Sequence, residues 1–184
     1  MKNLQSSLNM KYAELNTENF NIASLDGFKR HQEVYECWRK EGENYILKPV
    51  RYTEDWSLEE LREMAQKIIT VTDCGGMACG AFCGEEVVGF ALLPKGKFGS
   101  RNQYIDLAEF YVSAPYRGRG IGKKLFEQIC GYAKNSGAEK IYISAHSAKE
   151  SIAAYKSFGC VLAKEINEEL ANAEPCDVQM EFVL

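Results

Sequence analysis

The sequence predicts an α/β (α+β) fold, and three observations carry that prediction. First, an apolar, β-branched and aromatic run from Ile105 to Val112 stops before Pro115, glycines and arginines follow, and Ile121, Leu125, Ile129 and Ala133 then recur every four residues. That is a strand, a tight turn and a helix in succession. Second, two pairs of apolar runs flank short turns at Lys40-Glu-Gly42-Glu-Asn44 and Gly84-Glu-Glu86, and each pair reads as a β-hairpin. Third, the stretch from Cys176 to Leu184 sets Val178, Met180, Phe182 and Leu184 at alternate positions, the period of a strand with one buried face.

In chain order, residues 1 to 9 read as frayed or helical, and Met10 to Leu15 as a first strand. Thr17 or Asn21 is expected to cap a short helix ending near Gly27. Val34 to Trp38 and Tyr45 to Val50 form the first hairpin, near residues 32–50. Trp38, Tyr45 and Trp56 are expected to pack there rather than meet a ligand. Ser57-Leu-Glu-Glu60 is a capping-box signature, and Leu58, Leu61, Ala65, Ile68 and Ile69 continue a helical stripe to about Thr70. Met77 to Cys83 and Val87 to Leu93 are the second hairpin. The basic stretch Lys95 to Asn102 is expected to be a mobile, solvated turn. After the central strand, the helix that follows ends at Asn135-Ser-Gly137. Glu139 to Ala145 reads as a buried strand, Ala148 to Phe158 as a helix, Gly159 to Leu162 as a strand start, and Asn167 to Ala173 as loop or a brief helix.

The 184 residues are expected to form one domain, residues 1–184. A net charge of −4 argues against general binding to nucleic acid or to an anionic membrane. Basic residues concentrate locally instead, at Lys95, Lys97 and Arg101 and from Arg117 to Lys124. Seven cysteines are an odd number with no Cys-x-x-Cys pair, and the two histidines, His31 and His146, lie far from the Cys74, Cys79 and Cys83 group. No metal site is therefore expected, and the thiols are expected to be reduced and mostly buried. With no apolar signal core at the start and no run of membrane-spanning length, a cytoplasmic location is expected.

The turn before the long helix is a candidate anion site. A helix start leaves backbone N–H groups unpaired at the positive end of the macrodipole. Glycines let phosphates approach that backbone, and Arg117, Arg119 and Lys123 add charge. Spacing narrows the ligand. Gly118 and Gly122 are separated by three residues and Lys123 precedes Lys124, which departs from the phosphate loop of nucleotide triphosphatases. Gly118-Arg-Gly120-Ile-Gly122 is one residue short of the dinucleotide fingerprint. What remains is Arg117-x-x-Gly120-x-Gly122, between a strand and a helix.

In that arrangement the chain resembles the GNAT superfamily of acyl-CoA N-acyltransferases, whose Gln/Arg-x-x-Gly-x-Gly/Ala loop holds the pyrophosphate of coenzyme A. The resemblance is firm from about Val87 to Val161 and looser from Met10 to Leu184. It implies the GNAT fold, with a mixed, mostly antiparallel central sheet of about seven strands flanked by helices and the 32–50 hairpin as an insertion that shapes the acceptor site. It implies acetyl-CoA as co-substrate, without a metal, and a small-molecule or peptide amine as acceptor. Homodimers are common in the family. The loop residues Arg117, Gly118, Arg119, Gly120, Ile121, Gly122 and Lys123 are implied to bind the cofactor, as are Phe110, Tyr111 and Val112 on the central strand, whose backbone meets the pantetheine arm. Ser151 is implied as a further contact.

The implied reaction is acyl transfer from a thioester to an amine by direct attack. A protonated alkylamine with a pKa near 10.4 costs about 4.6 kcal/mol to deprotonate at pH 7, so a base is needed. Asp106 and Glu109 are the candidates, Glu109 first; on a regular strand their odd separation sets them on opposite faces unless a bulge intervenes. A departing thiolate, with a pKa near 8.5, is served by a tyrosine acid. Tyr155 matches the family's tyrosine in Ser151-Ile-Ala-Ala-Tyr155-Lys-Ser-Phe-Gly159-Cys160, which resembles Ala-x-x-x-Tyr-x-x-x-Gly-Phe. There are three departures: Ala148 stands where an asparagine is frequent, Ser151 replaces alanine, and Cys160 replaces phenylalanine. The polar contact to the cofactor that Ala148 does not provide is either missing or supplied by Ser147 or Ser151. Asp177 and Glu181 are candidates for selecting a cationic acceptor. The alternative is a non-catalytic acyl-CoA sensor or regulatory module, which has no use for an acid and a base.

Overall fold

The computed structural model describes residues 9–184, so the reading of residues 1 to 9 falls almost wholly outside the described residues. Strand β1 (Met10–Glu14) leads through turns to a long hairpin, β2 (His31–Glu41) and β3 (Asn44–Asp55), and then to helix α1 (Leu58–Asp73). Next come β4 (Met77–Cys83), β5 (Glu86–Leu93), β6 (Tyr104–Asp106), β7 (Glu109–Val112) and helix α2 (Ile121–Asn135). The chain closes with β8 (Lys140–Ala145), α3 (Lys149–Phe158), β9 (Val161–Leu162), α4 (Glu168–Ala173) and β10 (Val178–Val183).

The sheet has two four-stranded halves, β1-β4-β5-β7 and β6-β8-β10-β9, where about seven strands were implied. Pairing is antiparallel except between β6 and β8. The hairpin pairs with itself as a separate two-stranded ribbon and is longer than its expected 32–50 span. Strand β5 is buried from Val87 to Leu93, as suits an almost unbroken apolar run covered on both faces. On one face Leu61, Ala65 and Ile68 of α1 pack with Leu25, Phe28, Phe82, Phe90 and Leu92. On the other, Leu125, Ile129 and Ala133 of α2 pack with Ile141, Ile143 and Met180. Helix α1 starts at the expected capping box, with Glu60 N–H donating to Ser57 Oγ at 3.3 Å and Ser57 N–H to Glu60 Oε2 at 2.7 Å. It runs past Thr70 to Asp73.

The central run Ile105 to Val112 is not one strand. Leu107 N–H still donates to Tyr142 of β8 (2.9 Å), whereas Ala108 N–H donates to Leu92 of β5 (3.0 Å). Within one residue the chain changes partner, and the two halves of the sheet part beyond that point.

Three other expectations are corrected. Residues 16–28 form successive turns rather than a capped helix. Asn16, Asn19, Asn21 and Ser24 side chains accept backbone N–H bonds of 2.9–3.0 Å here, and such local bonding competes with a helical ladder. The basic stretch from Lys95 to Asn102 is anchored: Ser100 N–H and Oγ donate to Glu165 at 2.6 and 2.9 Å, and Phe98 stacks on Tyr104.

Glu181, the third, is structural. It is 1% exposed, accepts from Lys140 Nζ (2.8 Å), the Tyr104 hydroxyl (2.5 Å) and Lys164 N–H (3.1 Å), and does not line the cleft described below. Desolvation pushes its pKa up, but these partners outweigh it and hold the carboxyl below its usual range. Glu181→Ala is expected to cost about 2–3 kcal/mol, because it strands a partly buried ammonium and a buried hydroxyl. Urea unfolding measures this, with coenzyme A affinity unchanged. No helix among the described residues is long and apolar enough to cross a membrane.

Candidate active site

Where the halves of the sheet part, a cleft of about 1280 Å³ opens between β7 on one side and β8 and α3 on the other. One end is the start of α2. The first intrahelical bond runs from Lys124 N–H to the Gly120 carbonyl (3.2 Å), so the N–H groups of Gly120, Ile121, Gly122 and Lys123 have no intrahelical partner. Gly118 and Gly120 adopt φ of +73° and +79°, and a Cβ at either would meet no atom within 4 Å. The loop is thus held in a glycine conformation with open space above its amides, a cradle that fits a diphosphate.

The expected loop residues divide by role. Gly118, Gly120, Gly122 and Lys123 line the cleft. The Ile121 side chain is buried, so that residue offers only its amide. Arg119 lies over the Tyr116 ring, 5.6 Å from its centre, outside the lining. Arg117 lines the cleft, but its guanidinium donates to the carbonyls of Val112 (2.9 Å, from Nε) and His31 (2.8 Å, from Nη1). It ties the loop to β7 and to the root of the hairpin.

Strand β7 is an edge of its half-sheet. Ser113 N–H donates to Val88 on β5, so by antiparallel alternation residues 109 and 111 face β5 while Phe110 and Val112 present backbone groups to the gap. Phe110, Tyr111, Val112 and Ser151 all line the cleft. Ser147 does not serve there. It is 2% exposed, its hydroxyl accepts from Arg39 (2.6 Å) and its carbonyl from Trp38 N–H (2.8 Å), and so it docks the hairpin onto the start of α3.

The titratable groups meet at the middle of the cleft. The partner change at residues 107–108 removes the opposite-face geometry of a regular strand, and Asp106 and Glu109 both line the cleft. Burial, and secondarily the neighbouring Glu109, pushes the Asp106 carboxyl up to about 7. Burial also raises Glu109, against the pull of Lys67, whose Nζ lies 2.5 Å from Glu109 Oε1. Tyr155 lies across from them on α3, beside Phe110 and Phe158, with ring centres 5.9 and 6.3 Å away. Burial lifts its hydroxyl above the ordinary tyrosine value.

The far end mixes acidic, basic and aromatic groups. Glu54, Asp55, Glu60 and Asp177 line it, as do Trp56 and Tyr111, whose rings meet edge to face at 4.9 Å. The Arg30 guanidinium lies 5.0 Å from the Tyr111 ring centre and pairs with Glu54. The other Glu54 oxygen lies 2.9 Å from His146 Nε2. Hydrogen bonding from His146, then the charge of Arg30, holds Glu54 low against desolvation. Burial raises Asp177.

Sequence reasoning missed Lys67, Arg30 and Glu54, and it set His146 aside as a metal ligand without giving it another role. Lys67 follows Glu63 at helical spacing and looks like one half of a solvated surface pair. Only the packing of α1 reveals its partner.

The family model described as Acetyltransferase (GNAT) family matches residues 31–160. No curated protein is significantly similar in sequence. Among solved structures, nourseothricin acetyltransferase is similar at 16% identity and a TM-score of 0.68, covering 95% of this chain and 98% of that one. A putative streptothricin acetyltransferase from Bacillus anthracis, in complex with acetyl coenzyme A, is similar at 19% identity and a TM-score of 0.66, covering 94% and 96%. The PaiA N-acetyltransferase from Thermoplasma acidophilum, in complex with coenzyme A, is similar at 16% identity and a TM-score of 0.60, covering 96% and 99%. At these identities the structures speak for the fold. The family match extends over most of the sequence and takes in the glycine loop, β7 and Tyr155, and on that ground the chain belongs to the GNAT acetyltransferase family, the acetyl-CoA-dependent acyltransferases.

Proposed function

We propose that this enzyme transfers an acetyl group from acetyl-CoA to a primary amine of a cationic small molecule, with Asp106 as general base and Tyr155 as general acid. The observation that carries the reading is that the open amides of the α2 start and the Asp106 carboxyl share one cleft. When bound, acetyl-CoA supplies the acetyl group as a reactive thioester. The amides from Gly120 to Lys123, with the Lys123 charge, hold diphosphate, and the edge of β7 at Phe110 and the Val112 N–H takes an extended amide-bearing arm.

Two carboxyls compete for the role of base. Glu109 ranked first from the sequence, but its carboxyl is engaged by Lys67. The Asp106 carboxyl has no hydrogen-bond partner among the described residues, and its pKa of about 7 suits a base that must be both ionised and basic at neutral pH. It removes the proton from the acceptor nitrogen. Tyr155, on the opposite wall, delivers a proton to the departing sulfur.

Asp55 and Asp177 on the far wall support a cationic acceptor, since Glu54 is already paired with Arg30 and His146, Glu60 caps α1, and Arg30 already lies over the Trp56 and Tyr111 rings. Similar structures named as nourseothricin and streptothricin acetyltransferases make those antibiotics first choices for a panel, beside polyamines, aminoglycosides and amino acids.

Thiol release from acetyl-CoA across that panel tests the reading. Turnover is expected with polycations; tight coenzyme A binding with no turnover on any amine would instead mark an acyl-CoA sensor. Tyr155→Phe is expected to lower kcat by about 100-fold or more while the KM for acetyl-CoA moves little. Unchanged kcat would remove Tyr155 from the acid role.

A further inference from the structure

Asp106 and Glu109 form a pair of desolvated carboxyls open to one cleft, and the structure brings one ammonium group to them. Lys67 projects from α1, a helix locked against the core through Leu61, Ala65 and Ile68, so its position is set by packing. Its Nζ reaches Glu109 Oε1 at 2.5 Å, while half of its side chain stays in solvent. It therefore brings its ammonium to the pair at little desolvation cost of its own.

Two neighbouring carboxyls in a poorly hydrated site do not both ionise cheaply; they titrate as a pair, and the nearest cation decides where the charge rests. We propose that Lys67 is a positioning residue that keeps the negative charge of this pair on Glu109 and so leaves Asp106 as the member that takes and gives up the proton. This rests on the base assignment made above and deepens it.

The other ionisable groups facing the pair do not compete for that part. Arg30 bears on Glu109 but is committed to Glu54 and Gln32. Tyr111 from β7, Tyr142 from β8 and Tyr155 from α3 are phenols whose pKa values burial raises further, so they stay neutral. Asp177, before β10, is a third carboxyl and supplies no positive charge.

Two substitutions should move the same proton in opposite directions. Lys67→Met removes the cation, so the doubly ionised pair loses its counter-charge and the higher of the pair's two midpoints, which Asp106 carries in wild type, is expected to rise by about one unit. Glu109→Gln removes the repelling carboxyl while Lys67 stays, so the Asp106 midpoint is expected to fall by a similar amount. Lys67→Arg should restore the wild-type profile.

Two readouts follow these shifts: the pH profile of kcat/KM, and the titration of carbon-13-labelled aspartate and glutamate carboxyls in the cofactor-free protein by NMR. If Lys67→Met leaves the higher midpoint of the pair within about 0.3 units of wild type, the proposal fails, whatever Glu109→Gln does and whatever happens to overall rate. If Lys67→Met does not fold, Lys67→Gln, which keeps a polar stem without the charge, takes its place, and an unmoved midpoint in that variant defeats the proposal. The cofactor-free titration separates this inference from the mechanism it builds on. Opposed shifts there, with turnover indifferent to Asp106→Asn, would uphold the role of Lys67 and remove Asp106 as base.

Discussion

Asp106→Asn is expected to lower kcat by roughly 100- to 10,000-fold while making the protein more stable above pH 7. The two effects have one cause. The Asp106 carboxyl titrates at about 7 in the fold against an ordinary value of 3.8, chiefly because burial disfavours its charge. Below about pH 4 both folded and unfolded chains hold the proton, and the residue contributes nothing either way. Between there and pH 7 the folded chain keeps a proton that the unfolded chain has lost, so stability falls as pH rises, and it levels off above 7. With each pK unit worth about 1.4 kcal/mol, discounted because the cleft admits water, ionised Asp106 costs on the order of 2–4 kcal/mol. Asparagine escapes that cost.

Urea unfolding of wild type and variant at pH 4 and pH 8 measures the difference, and titrations common to both cancel in the comparison. The stabilities should agree at pH 4 and diverge at pH 8 in favour of the variant. In wild type, kcat/KM should rise with a midpoint near 7, where the base becomes ionised. A variant as active as wild type, or no more stable than wild type at pH 8, would count against both the base and its environment.

Gly120→Val is expected to weaken coenzyme A binding by about 100-fold or more, with a stability loss of only about 1–2 kcal/mol. Gly120 sits at φ +79°, a left-handed conformation that a β-branched residue adopts only under strain. Yet a Cβ there would touch no protein atom within 4 Å, so the folded chain has room for the new side chain. The space it would fill is the space above the unpaired amides. Calorimetric titration with coenzyme A and a thermal melt separate the effects: affinity collapses, folding survives. Wild-type affinity would mean that the diphosphate lies elsewhere. Gly122 offers a milder comparison, because a Cβ there would meet Phe158, Val112 and Phe110 at ordinary contact distances of 3.7–3.9 Å.

Much of this architecture was legible in the sequence because it is local. A capping box, alternating apolar residues, hairpin turns and glycines at a helix start act within a few residues, and α1, β4, β5, α2 and β10 lie close to where those patterns set them. The glycine turn proposed to hold the cofactor was readable for the same reason: unpaired amides and positive-φ glycines belong to one short segment. Local chemistry misled at residues 16–28, where Asn and Ser side chains favour turns over the short helix that a capping residue suggests, and at Lys95 to Asn102, which Glu165 anchors from far along the chain.

What no local pattern contains is the parting of the sheet. Ile105 to Val112 reads as one strand, and only the competition between β8 and β5 for its backbone moves it from one partner to the other at Leu107 and Ala108. That change opens the cleft and turns Asp106 and Glu109 into it together. Lys67, Glu54 and His146 join the site from 42, 55 and 37 positions away from Glu109. The sequence by itself determined the secondary elements and the glycine turn at the start of α2, because short-range sterics and hydrogen bonding dictate both. The tertiary structure decided which carboxyl is free, which is paired and what the far wall of the cleft presents, because charge and burial act through space between segments that the chain order keeps apart.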